Sequence, residues 1–292
     1  MKRAIATLVM LAGAAFGQWD ASPVLSVLGR SQADTLTVYA KTTGAVESVV
    51  LAAIKSSVAC TISWGDGAVS NLAAATTYSS LTHVYATAGT YPVVVASASK
   101  LTVLNLSNSK WAGLKSSELR SSTGLDDFRC YYSGSHASGR FASSDVSAWR
   151  PTVFYLYGMP AGYAGTFNSS DVSAWRPTYF YLHTMATNFT FTHSAGGFTN
   201  FLATTIFQMQ SMAMSTSTVD AVLWDLYQAT KAPRTGSAGN INVGGSNADP
   251  SGTYQAASSC PVTGSTPGKE IAHELKNDGC GAGFNKWTTV DY

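Results

Sequence analysis

The sequence predicts a mainly β fold with short helices: an N-terminal β-sandwich followed by a solenoid of stacked units whose strands form a parallel sheet. Three observations lead there. From Ser22 to Ser99, apolar residues alternate in short runs separated by Gly, Asn and Ser, as strands do when they bury one face. The decapeptide Ser-Ser-Asp-Val-Ser-Ala-Trp-Arg-Pro-Thr stands unchanged at 143–152 and 169–178, a repeat of 26 residues, and each copy runs into an aromatic-aliphatic segment. A period of that size marks one supersecondary unit stacked on copies of itself, which builds an extended surface more readily than a catalytic pocket. Third, 45% of the 292 residues are hydrophobic and 12% are charged, so the chain can bury a sizeable core and draws its polarity from Ser, Thr, Asn and Gly. With a formal net charge of +2 there is no basic stripe to neutralise phosphates, and no nucleic-acid partner is expected.

Taken in order, Met1-Lys2-Arg3, the apolar run 4–16 and the small residues before Gln18 have the layout of a secretory signal, read as residues 1–17 with cleavage after Gly17. The run falls short of the about 20 apolar residues that span a bilayer, so no membrane span is expected in the mature chain. Residues 18–99 form the sandwich, with strands expected at 24–28, 35–40, 49–54, 58–64 and 91–96. Trp64-Gly65-Asp66-Gly67, then Thr82-His83-Val84-Tyr85, then Gly89-Thr90-Tyr91-Pro92 and its valines follow one another in an order that resembles the PKD-like domain, an immunoglobulin-like sandwich. That resemblance implies a spacer or adhesion unit rather than an enzyme. Asp66, a single carboxylate between glycines, reads as a turn residue bonding its own backbone rather than as a calcium ligand, which would need six or more oxygens around the ion. His83 reads as packed or hydrogen-bonded.

Residues 100–238 carry apolar positions 1, 4 and 6 of a recurring unit: Leu101, Leu104, Leu106; Leu125, Phe128, Cys130; Pro151, Phe154, Leu156; Pro177, Phe180, Leu182. This pattern resembles the leucine-rich repeat, in a degenerate version with Pro at the opening position and Phe for Leu. It implies a strand in each unit with positions 1, 4 and 6 turned inward. Between strands, Asp145 and Asp171 are expected to cap short helical turns that bury Val146 and Trp149, or Val172 and Trp175, before a proline stops them. Phe198 and Phe201 suggest a fifth strand, with Met209, Met212 and Met214 near the core.

In the remaining segment, assigned from 239 to 292 as a capping repeat, Gly239 to Val243 reads as a strand. Pro267 to Gly279 reads as a helix and Trp287 to Val290 as a closing strand; a further helix is expected just upstream, from Ser217 to Tyr227. This ending resembles the terminal repeats that follow such arrays in bacterial surface proteins and some phage structural proteins. Cys60 and Cys130 sit at core spacing and read as small buried hydrophobes. Cys260 and Cys280 lie in Gly, Ser and Pro-rich loops and are disulfide candidates around the last helix, which makes an oxidising compartment plausible.

The residues between the inward positions should face outward: Val103, Asn105, Ser107; Asp127, Arg129, Tyr131; Val153, Tyr155, Tyr157; Tyr179, Tyr181, His183. Strands in register would stack these tyrosines into two ladders about 4.8 Å per step. Arg129, Tyr131, Tyr155, Tyr157, Tyr179, Tyr181 and His183 are therefore the candidate binding residues, for a protein or glycan ligand or for copies of the chain itself. A purely structural role for the ladders is the competing reading, because Tyr is also a favoured strand residue. Arg129 beside Asp127 reads as a surface ion pair. No catalytic residue, metal site or cofactor is expected; His273-Glu-Leu-Lys-Asn lacks the second His of a zinc motif. The sequence thus points to a secreted or cell-surface protein for adhesion or assembly, with a virion fibre or decoration protein as the alternative and a carbohydrate-active enzyme as the least favoured.

Overall fold

The computed structural model describes residues 34–107, 110–131, 138–231, 239–281 and 286–292. The signal segment and the strand expected at 24–28 lie outside the described residues. The chain is mainly β, with three sheets among the described residues.

The first part supplies β1 (Thr35–Thr42), β2 (Glu47–Ser56), β3 (Cys60–Ser63), β4 (Val69–Leu72), β5 (Ser79–Tyr85) and β6 (Gly89–Ala96). Their alternation is the cause of their pairing: Leu36, Val38 and Ala40 of β1 and Val49 and Leu51 of β2 are fully buried, while the residues between them reach solvent. One antiparallel sheet runs β4-β3-β6-β1 and ends on β8 (Trp111–Gly113), which comes from the repeat region. The turn before β4 is made by Gly65 and Gly67, both at positive φ, and by Asp66, whose Oδ1 accepts the Ala68 amide at 3.0 Å. Its Oδ2 lies 2.7 Å from His83 Nε2, and the His83 ring stacks on Trp64 at 4.9 Å.

The repeat region supplies β7 (Leu101–Asn105), β9 (Asp127–Tyr131), β11 (Val153–Tyr157), β13 (Tyr179–His183) and β15 (Ile206–Gln208), extended by β16 (Asn240–Asn242) and β17 (Thr289–Asp291). All seven are parallel, and β7 pairs antiparallel with β2, so a single nine-stranded sheet runs from β17 to β5. Strands from the two ends of the chain therefore share one sheet and one core. Opposite lies a three-stranded parallel sheet of β10 (Gly139–Ala142), β12 (Tyr163–Asn168) and β14 (Phe189–Thr192). Helices α1 (Thr216–Lys231) and α2 (Gly268–Asn277) follow. Val219, Val222, Leu223 and Leu226 of α1 are buried, as their spacing requires. A disulfide joins Cys260 to Cys280 across α2, and Cys60 and Cys130 are buried.

The inward positions are all buried, and the aromatic ones stack from strand to strand. Phe154 lies 5.6 Å from Phe180 at 19°, Phe180 lies 5.3 Å from Phe207 at 21°, and Trp149 lies 6.4 Å from Trp175 at 15°. Each such ring gains about 1.5–3 kcal/mol by leaving water. The two decapeptides thus occupy matching places, each opening on a 3-10 turn, Ser143–Val146 and Ser169–Val172.

Two expectations are corrected. Asp145 and Asp171 do not cap their own turns: Ala142 precedes the first without a side-chain bond, and Asn168 caps the second by accepting the Ser170 amide. The carboxylates reach back one repeat instead, Asp145 to Ser116 Oγ and to Arg120, and Asp171 to Ser143 Oγ at 2.5 Å. Phe198 and Phe201 are not a strand. They fall 26 residues after Val172 and Trp175 and fill the same buried turn positions, while the fifth strand pairs Ile206 with Tyr179, 27 residues on, so one added residue shifts the register.

Ser143 ties its repeat to the next, as Ser116 does one repeat earlier. Its buried Oγ accepts the Asn168 amide at 2.8 Å and donates to Asp171, so one hydroxyl serves both a backbone donor and a carboxylate of the next repeat. Ser143→Ala should cost about 1–3 kcal/mol because both partners lose a bond in a buried place. Ser144→Ala, at the exposed neighbour, should stay within about 0.5 kcal/mol. Urea unfolding of the full chain separates the two.

Candidate binding face

Because the parallel strands are in register, outward positions line up in rows across the sheet. One row is Asn105, Arg129, Tyr155, Tyr181, Gln208, Asn242 and Asp291; a second is Val103, Asp127, Val153, Tyr179, Ile206, Asn240 and Thr289. A third holds Tyr131, Tyr157 and His183. All seven candidate residues are brought to this one face.

The rows pack tightly along their length. Tyr131 and Tyr157 stack at 4.7 Å with rings 5° from parallel, and Tyr157 and His183 at 4.4 Å and 15°. In the neighbouring row the Arg129 guanidinium lies 5.1 Å over the Tyr155 ring, and Tyr155 meets Tyr181 edge-on at 4.4 Å and 60°. Cross-strand aromatic pairs of this sort stabilise the sheet as well as shaping its surface.

Arg129 and Asp127 form a two-pronged pair, Nε to Oδ1 at 2.7 Å and Nη2 to Oδ2 at 2.8 Å, and both are half-buried rather than at the open surface. The hydrogen bonds that Arg129 donates to Asp127 hold the guanidinium more firmly protonated than usual, against the pull of burial. Burial pushes the Tyr155 phenol up to about 12, helped by its neighbour Tyr181, and pushes Tyr181 upward too, so both keep their protons and can donate.

Three outward positions are more enclosed than expected. His183 and Val153 each keep 9% of their surface and Ser107 keeps 4%. His183 is capped by the Tyr157 ring, bonds Thr184 Oγ1 at 3.0 Å through Nδ1, and is pushed down to about 4 by burial, so its imidazole is neutral at ordinary pH. Tyr179 is the candidate most open to solvent, at 37%.

Sequence reasoning missed Gln208, Asn240, Asn242, Thr289 and Asp291, which continue the rows past the tyrosines. The available signal was the alternation in Asn240-Ile241-Asn242 and Thr289-Val290-Asp291, an apolar residue between two polar ones. Among the described residues no group of three or more His, Cys, Asp or Glu is placed to hold a metal ion, and no helix is long and apolar enough to cross a membrane. No protein-family model, curated protein or solved structure matches the chain significantly.

Proposed function

We propose that this chain is a non-enzymatic recognition protein working outside the cell, built as an immunoglobulin-like sandwich of the PKD type that carries a degenerate leucine-rich-repeat-like solenoid with a C-terminal cap. Recognition runs through the tyrosine-bearing outward face. The observation that carries this reading is the alignment of Arg129, Tyr155 and Tyr181, and of Tyr131, Tyr157 and His183, into continuous outward rows although their units are separated in sequence. A flat face of ordered phenols offers broad contact at small ordering cost, because stacking has already fixed the side chains. The Cys260–Cys280 disulfide supports an oxidising location.

The test keeps the rings and removes only their polar tips. Tyr155→Phe, Tyr157→Phe and Tyr181→Phe combined should preserve the stacking and leave the melting temperature within a few degrees. Binding of the full chain to a glycan array, or its self-association by light scattering, should weaken by about tenfold or more for three lost polar contacts. Unchanged binding by the triple variant would assign the ladders to sheet stability alone.

A further inference from the structure

The ring geometry narrows what the face can hold. An aromatic platform for sugars works by offering several bare ring faces, but here the rings of the two inner rows are occupied by one another and by Arg129, and Tyr179 stands as a single more open ring. Tyr157 is sandwiched between Tyr131 at 4.7 Å and His183 at 4.4 Å, and Tyr155 is covered by Arg129 at 5.1 Å and met by the edge of Tyr181 at 4.4 Å. The outward rows repeat at one strand step of about 4.8 Å.

Past the tyrosines the same rows continue in side-chain amides. Tyr181 is followed by Gln208 and Asn242, and Tyr179 by Ile206 and, one strand further on, Asn240. Phenol hydroxyls and amides both donate and accept, so, apart from the apolar Val103, Val153 and Ile206, the rows present mostly uncharged hydrogen-bonding groups. The one pair of opposite charges within it, Asp127 and Arg129, is closed on itself through two bonds. A charged polymer finds no unbalanced complement across the tyrosine strands; Lys55, opposite Val103, and Asp291 each add one charge, of opposite sign, at the two flanks.

From this we infer that the ligand is a neutral, extended polysaccharide laid across the strands and held by hydrogen bonds at successive strand steps, rather than by ring-face stacking. This inference rests on the recognition reading above and adds to it the ligand's charge, shape and direction, and extends its site to Gln208 and Asn240. Each strand crossed adds another set of contacts, so affinity must grow with chain length, and the absence of net charge makes it insensitive to salt.

Calorimetry of the full chain against neutral cello-, xylo-, manno- and N-acetylchito-oligosaccharides tests this, with hexagalacturonate as the anionic probe. The expected result is that one neutral series binds, its hexamer about tenfold or more tighter than its trimer, with one further hydrogen-bonded sugar contributing about fivefold. Its dissociation constant should change by less than about twofold between about 50 and about 500 mM NaCl, because screening has no charge pair to act on. Gln208→Ala with Asn240→Ala, one half-buried and one exposed, should weaken the hexamer by about fivefold or more with the melting temperature unchanged.

Equal affinity for trimer and hexamer, or binding that no neutral series shows, overturns the inference. Salt-sensitive binding of hexagalacturonate that is lost in the triple Tyr→Phe variant overturns the ligand class and leaves the recognition face standing. Neutral binding that is indifferent to that variant and to Gln208 and Asn240 overturns both.

Discussion

Gly165→Ala is expected to destabilise the chain by more than about 3 kcal/mol, a large fraction of the about 5–15 kcal/mol by which a folded domain is stable. The cause is close approach. A Cβ on Gly165 would lie 2.2 Å from the carbonyl oxygen of Phe141 and 2.9 Å from Cε2 of Phe189. The Phe189 ring can swing aside, but the Phe141 carbonyl belongs to β10, where Phe141 is paired directly with Gly165 of β12. Moving it pulls β10 off register and disturbs the buried rings of Phe141 and Phe167, which lie 6.4 Å apart. Gly139 stands in the same place one unit earlier, its Cβ reaching to 2.4 Å from the Leu114 oxygen, so Gly139→Ala should behave alike. Gly124→Ala is the control: its Cβ would meet the Leu101 oxygen at 3.4 Å, an ordinary contact, and should change stability by less than about 1 kcal/mol. Thermal and urea unfolding of the three variants decide the matter, and a Gly165→Ala protein that melts like the parent would refute the close-packing account.

How much of this was legible depends on where each residue's partner lies. The inward positions Leu104, Phe128, Phe154 and Phe180 could be read because burial demands an apolar residue in each unit, and that demand repeats along the chain. The outward rows followed from the same phase, since successive strand residues point to opposite faces. The role of Ser143 could not be read: a buried serine looks like any other until Asn168 and Asp171 of the next unit close on it. The fifth strand was misplaced because a single added residue moves Phe207 from 26 to 27 positions after Phe180, and Phe198 and Phe201 then hold the spacing of the turn. The amide half of the face was missed for a different reason: the strands β16 and β17 could be read, but helices and loops separate them from the repeats, and no local pattern says that they join β15 in register. Nor does either strand by itself announce that β2 joins β7, since a pairing between distant segments is set by packing and not by local pattern.

The second large effect is expected at Asp225, a buried carboxylate on α1 that retains 2% of its surface. Its Oδ1 accepts the Gly196 amide at 3.0 Å, and its Oδ2 accepts the Phe198 amide at 3.1 Å and lies 3.0 Å from His193 Nε2. Three polar groups of one loop thus converge on a single side chain of the helix. Asp225→Ala removes all of their partners at once in a place that water does not reach, and should cost about 3–5 kcal/mol. Asp225→Asn keeps one oxygen to accept an amide but turns an NH2 toward the other donors, so it should recover only part of the loss. The damage should spread toward the sheet, because Phe198, fixed by the hydrogen bond that its backbone N–H donates to Asp225, packs on Phe180 at 5.9 Å and Phe207 at 5.3 Å. A further variant separates the carboxylate's structural work from mere cavity formation: in His193→Ala with Asp225→Ala, the imidazole that the single variant strands is gone, so the double loss should fall short of the sum of the two single losses. Additive losses in urea unfolding would mean that His193 and Asp225 do not act as a pair.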